Sequence, residues 1–165
     1  MVQRTGTFVQ DRVPAGETLR SQPLSVAAVH KQTGNAVVGD EGLLRRERTA
    51  VDAYSRREFE QRAQSDAVDI LGRLGVDRTS QQRFYRVDDE DSYFVEFAES
   101  VAIPDGHVGI VRPRDSLRRS GVLMETAFVE PGQSEVESHV FVEDRFVLLA
   151  EAATVAELVV VEASG

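Results

Sequence analysis

The chain has 165 residues, enough for one domain with a sizeable core, and its 41% apolar and 28% charged residues fit a globular fold rather than disorder. It contains no cysteine, which excludes disulfides, thiolate metal sites and cysteine nucleophiles together. A net charge of −9 argues against a protein that coats nucleic acid, because phosphate binding needs a basic surface.

The basic residues are lopsided: Lys31 is the only lysine among 19 basic residues. An acidic, lysine-poor chain fits a salt-loving microbe, whose proteins stay soluble through carboxylate-rich surfaces. A GC-rich genome is the alternative source of that bias. No apolar run reaches the roughly eighteen residues of a membrane span. The stretch MVQRTGTFVQDRVPAGETL at the start carries no apolar signal core, so a cytoplasmic location is expected.

The first 40 residues alternate short apolar stretches with turn residues. GTFVQ, PLSVAAV and GNAVV predict short strands, and VPAGE and QTGN predict turns. Residues 43–75 differ. Val51, Tyr54, Phe59, Ala63, Ala67, Ile70, Leu71 and Leu74 recur at helical spacing and predict an inserted α-helix. Thr49 and Asp52 fit a capping box at its start, and Gly75 fits its stop. From Phe84 onward the apolar period falls to two. FYRV, SYFVEFAESVAI, HVGIVRP, VLMETAFVE, SHVFVEDRFVLLAE and ATVAELVVVEA predict about six strands, with turns at DDED, PDG and EPG. The expected architecture is one mostly β domain over 1–165, a distorted barrel or jelly roll with a helical insertion.

One segment breaks the strand pattern. RPRDSL at 112–117 is basic, polar and turn-like, yet lies between apolar strands of an acidic chain. Other constellations carry less. His30, His107 and His139 lack metal-ligand spacing, and DDED at 88–91 lacks the spaced acids and central glycine of a calcium loop. GNAVVGDEG is not followed by the lysine of a phosphate loop, and no serine elbow is present.

The segments around RPRDSL resemble the superfamily that joins trimeric dUTPases and dCTP deaminases. QPLSV at 22–26 is similar to that family's QPxSVDL. YFVEFAESVAIPDGHVGIVRPRDSL is similar to its strand, iP turn and arginine-serine motif. GVLMETAFVEPG is similar to the strand leading to DPG or DAG, and ATVAELVV to the closing ARIAQLVF. The resemblance covers about residues 17–30 and 92–161 and leaves the helical stretch unmatched. It implies a dUTPase-like β-clip fold, a homotrimer with each active site between subunits, and magnesium on a deoxyribonucleoside triphosphate. It also implies that Arg114, Ser116 and Arg119 hold phosphates, that Ala127 faces the base, that Glu157 stands at a substrate-binding glutamine, and that Glu130 takes the place of the water-activating aspartate. No membrane and no direct nucleic-acid partner is expected.

The departures from the family pattern fall on the chemistry. Asp115 replaces the first serine of the arginine-serine turn, and Ala27 and Thr154 replace an acid and an arginine. Glu130 is one methylene longer than aspartate. Counting without gaps from EPG puts Val140 at the deaminase glutamate, with Glu137 and Glu143 flanking it. The glycine- and aromatic-containing tail that closes over the nucleotide in family enzymes has no counterpart after the last strand in this sequence. Two functions stay open. One is an enzyme that hydrolyses or deaminates a deoxyribonucleoside triphosphate, dUTP to dUMP and pyrophosphate foremost. The other is a trimeric nucleotide-sensing or protein-binding scaffold without full catalysis. A third possibility is an unrelated β-barrel binding module. The orientation of Asp115, toward phosphates or toward Arg118 and Arg119, separates the first two.

Overall fold

A computed structural model describes residues 18–163, with side chains from residue 21 onward. The strand expected at GTFVQ and the turn at VPAGE lie outside the described residues. In chain order the elements are β1 (Thr18–Thr33), β2 (Val37–Val38), β3 (Leu43–Leu44), β4 (Glu47–Ala50), β5 (Ala53–Ser55), α1 (Arg56–Gln61), α2 (Ser65–Arg73), β6 (Arg83–Asp88) and β7 (Ser92–Phe97). They continue with β8 (His107–Pro113), α3 (Asp115–Arg119), β9 (Val122–Met124), β10 (Ala127–Val129), β11 (Glu137–Val142), β12 (Phe146–Ala150) and β13 (Thr154–Glu162). The mostly β architecture expected from the strand pattern is present, and with it the dUTPase-like fold that the resemblance implied.

The large sheet runs β10-β8-β13-β1-β7-β11-β9, with β4 also on β1. Long β1 is its spine. The first half of β1 pairs with β13, and from Val26 it changes partner to β7, with register shifts at Leu24/Ser25 and Val26/Ala28. Such irregularities bend a strand and increase its twist, so the sheet curls about β1. The curl brings its ends together. β9 closes one end of the order and β10 the other, yet only Glu125 and Thr126 separate them in the chain. Three Cα steps at about 3.8 Å limit that gap to roughly 11 Å.

Inside the curl, alternate residues of each strand form the main core, including Leu24, Val29, Tyr93, Val111, Val140 and Leu158. Gly109 on β8 is required there: a Cβ would meet Ile103 Cδ1 and Leu158 Cδ1 at 2.8 Å. Two of the sequence segments that resemble the family also meet in this core. Glu99 is only 6% exposed, and its carboxylate accepts from the Ser25 amide at 2.8 Å and the Ser25 hydroxyl at 2.6 Å. A carboxylate is buried at acceptable cost only when hydrogen-bonded in this way.

The helical expectation over 43–75 needs correction. Only 56–61 and 65–73 are helical, and 43–55 contributes three short strands. Pairing decided the difference. Leu43 and Leu44 sit opposite Val38 and Val37, and Glu47–Ala50 sit opposite Thr33–His30 of β1, so tertiary contacts outweigh helix propensity. Thr49 therefore lies in β4 and caps nothing. The capping box is Ser55 with Glu58: the Glu58 amide donates to Ser55 Oγ at 3.2 Å, and the Ser55 amide donates to Glu58 Oε1 at 3.0 Å. Ala63, at φ 58°, breaks the helical run in two. Gly75, at φ 80°, does end α2 as expected, with the Val76 amide donating to the Leu71 carbonyl at 2.9 Å.

The helical pair covers one face of the small sheet β12-β6-β5 through Phe59, Ala67 and Leu71, packed on Phe84, Phe146 and Leu148. The other face of that sheet gives Tyr85, Val87 and Leu149 to the main core. Arg86 pins α2 to β6, with paired bonds to Asp66 at 2.8 and 2.9 Å and one to Asp88 at 3.0 Å. Among the described residues, no helix is long and apolar enough to cross a membrane.

Candidate functional site

The polar stretch at 112–117 is helical rather than a simple turn. Pro113 ends β8, where it can still accept but not donate in the ladder. Arg114 is extended at φ −73° and ψ 157° and becomes the N-cap of α3, its amide donating to the Val155 carbonyl at 2.8 Å. Asp115 in the first turn and Arg118 and Arg119 in the last complement the helix dipole. Leu117, buried in the main core, anchors the helix and turns its neighbours outward.

A cleft of about 790 Å³ opens over this helix, at the seam where the two ends of the sheet meet. Arg112 and Glu157 come from paired positions on β8 and β13, Arg114 to Ser116 from the start of α3, Arg118 from its last turn, Met124 from the end of β9 and Thr126 from the β9–β10 crossing. Its charges are largely committed. Arg112 Nε donates to Glu157 Oε1 at 2.8 Å. The Asp115 carboxylate lines the cleft and is paired, with Oδ1 3.2 Å from Arg118 Nη2 and Oδ2 2.8 Å from Arg119 Nε. Arg114 has no side-chain partner among the described residues, and Ser116 stands exposed beside it. The arrangement offers one unengaged guanidinium and a hydroxyl, the equipment for a phosphoryl oxygen pair.

Of the residues singled out by resemblance, Arg114, Ser116 and Glu157 line this cleft. Arg119 lies outside it, on Asp115. Ala127 packs against the main core, while its neighbour Thr126 faces the cleft. Glu130 is elsewhere. The register pairs Ala127 with Val111 and Val129 with Gly109, so Glu130 follows the strand to the level of Val108, near the end of β8 far from Arg114. Six residues of strand put about 20 Å between those ends. The Glu130 amide donates to Gln133 Oε1 at 2.7 Å, while the Glu130 carboxylate is exposed and has no partner among the described residues. At the deaminase position, Val140 is fully buried between Tyr93 and Met124. Glu137 and Glu143 have the outward parity of β11, and Glu137 pairs with Arg48 at 2.8 Å.

The places of Arg112, Arg118, Met124 and Thr126 in the cleft were not anticipated, although Arg118 was expected as a candidate partner of Asp115. Arg118 was findable, since Arg114 and Arg118 are one helical turn apart once 115–119 is read as a helix. Met124 and Thr126 depend on the curl of the sheet. Among the described residues, no group of three or more His, Asp or Glu side chains is arranged to hold a metal. With both cleft carboxylates turned to arginines, a metal here would draw most of its ligands from a bound phosphate.

The curled sheet with a polar arginine segment at its seam places the protein in the dUTPase-like β class. The chain matches the family model described as dCTP deaminase-like over residues 5–162 and belongs to that family; the match runs through the helical pair. Two curated relatives, each a probable deoxyuridine 5'-triphosphate nucleotidohydrolase from a strain of Halobacterium salinarum, are 34% identical over 68 residues. That stretch is 41% of this chain and 41% of each relative, so the match spans less than half of their length.

Proposed function

We propose that the protein hydrolyses a deoxyribonucleoside triphosphate, dUTP foremost, to the monophosphate and pyrophosphate. The observation that carries this is Arg114, without a side-chain partner among the described residues, beside Ser116 at a cleft whose walls are otherwise paired. In the proposed step Arg114 and Ser116 bind phosphate oxygens, and the Glu130 carboxylate takes a proton from water. The water oxygen bonds to the α-phosphorus as the bond from that phosphorus to its bridging oxygen breaks, and pyrophosphate leaves. Magnesium carried on the triphosphate would neutralise part of its charge.

Glu130 and Arg114 lie too far apart in one chain to serve one substrate. The proposal therefore requires a site assembled between copies, as in the homotrimers of the family, with Glu130 of one copy facing Arg114 of another. Deamination is the weaker alternative, because Val140 supplies no proton carrier and its flanking glutamates have the opposite parity.

The test is pyrophosphate release from dUTP and dCTP with magnesium at high salt. Wild type should turn over dUTP, and Glu130→Gln should lose at least about a hundredfold. Arg114→Ala and Glu130→Gln, each inactive alone, should recover activity when mixed and reassembled. Absence of turnover in wild type, with nucleotide still bound, would support the second reading, a nucleotide-sensing scaffold; the paired state of Arg112 and Arg118 favours it.

A further inference from the structure

We propose that Asp115 is a specificity-determining residue that makes the cleft accept a polyphosphate only in its cation-neutralised form. This inference rests on the cleft being a nucleotide phosphate site, as argued above. The cleft is lined by three arginines and two carboxylates, which leaves a formal charge of one positive unit. A free triphosphate carries roughly four negative charges at neutral pH. Magnesium reduces that to roughly two, while leaving phosphate oxygens for protein donors. A cleft with one net positive charge in its own copy, lowered further by the Glu130 carboxylate proposed to face it, is therefore much better matched to the metal complex than to the bare anion.

Asp115 is the residue that lowers the count. Its two oxygens occupy Arg118 and Arg119, at 3.2 and 2.8 Å, so it removes both from the cationic surface offered to a ligand. Its own charge lines the same cleft. The Arg118 and Arg119 pairs are exposed, so they exchange readily, and a ligand bringing less repulsion can draw Arg118 away. A bare polyphosphate meets the carboxylate before it can recruit that arginine. An uncharged serine at this position would leave the arginines open to either form.

The experiment measures equilibrium binding of the non-hydrolysable analogue α,β-imido-dUTP, with magnesium and with EDTA, at matched ionic strength. Wild type, Asp115→Asn and a distant control, Asp144→Asn, are compared. Asp144 is 83% exposed and lies outside the cleft. In wild type the magnesium complex should bind at least about thirtyfold more tightly than the free analogue. Asp115→Asn should tighten binding of the free analogue about tenfold and change the complex less than about threefold, and Asp144→Asn should change neither. An unchanged preference in Asp115→Asn, or an equal gain in Asp144→Asn, would overturn the inference while leaving the cleft a phosphate site. No binding of either form to any variant would overturn both the inference and the assignment of the cleft.

Discussion

Two carboxylates in this protein are held by similar short bonds and have opposite consequences. Glu99 is sealed in the core on Ser25, and Asp115 is exposed at the cleft on Arg118 and Arg119. Bond lengths of 2.6 to 3.2 Å do not distinguish them. Solvent does. Buried groups that lose a partner have no water to replace it, whereas exposed ion pairs compete with water and salt at nearly even odds. The Glu99 junction therefore belongs to the fold, and the Asp115 pairs to whatever enters the cleft.

Removing the buried member breaks the comparison most severely. Glu99→Ala leaves the Ser25 amide and hydroxyl without acceptors, and should cost about 3 kcal/mol in urea-induced unfolding. A loss below about 1 kcal/mol would show that water reaches the junction. Next is Gly109→Ala, which forces a methyl against Ile103 and Leu158 in the same core and should cost about 2 kcal/mol.

The Arg86–Asp66 pair lies between the two extremes. Hydrogen bonding to the Arg86 guanidinium, the largest cause, holds the Asp66 carboxyl below the usual aspartate range. A depressed folded pKa gives stability that is present at neutral pH and lost as pH falls below about 4. Asp66→Asn should cost at most about 1 kcal/mol at pH 7, since Asp66 is half exposed, and the difference from wild type should vanish in acid melts. A difference that persists at low pH would place its origin in packing. The smallest effect is expected at the opposite end: Asp115→Asn should shift stability by no more than about 0.5 kcal/mol. A larger loss would make Asp115 structural and weaken its assigned part in ligand choice.

The contrast also explains what could be read from the sequence. HVGIVRP and FYRV became β8 and β6 because one face of each is the more buried, and burial imposes a period of two, while ATVAELVV became β13 as a β-branched run buried on both faces. QPLSV and ESVAI carried family resemblance because they hold each other in the core, through Ser25 and Glu99. The segment 43–50 misled because β3 and β4 are exposed throughout, so no buried face marks them as strands. Arg114, Ser116 and Glu157 were legible one by one. Their meeting with Met124 and Thr126 was not, because it depends on where a curled sheet closes. Nor did the fifteen residues of chain between Arg114 and Glu130 reveal that antiparallel pairing sends them toward opposite ends of one strand.

The seam has a consequence for the protein in crowded solution. An open sheet this rich in strands would present long unpaired margins, each a template on which another chain can add a strand. Here both margins are only three residues long, β9 and β10, and they lie back to back across a two-residue crossing. β10 is followed at once by Glu130 and Pro131, a charge and a residue that cannot donate to a ladder. The crossing that helps to shape the cleft thus also keeps the β9 and β10 edges too short to template much added strand.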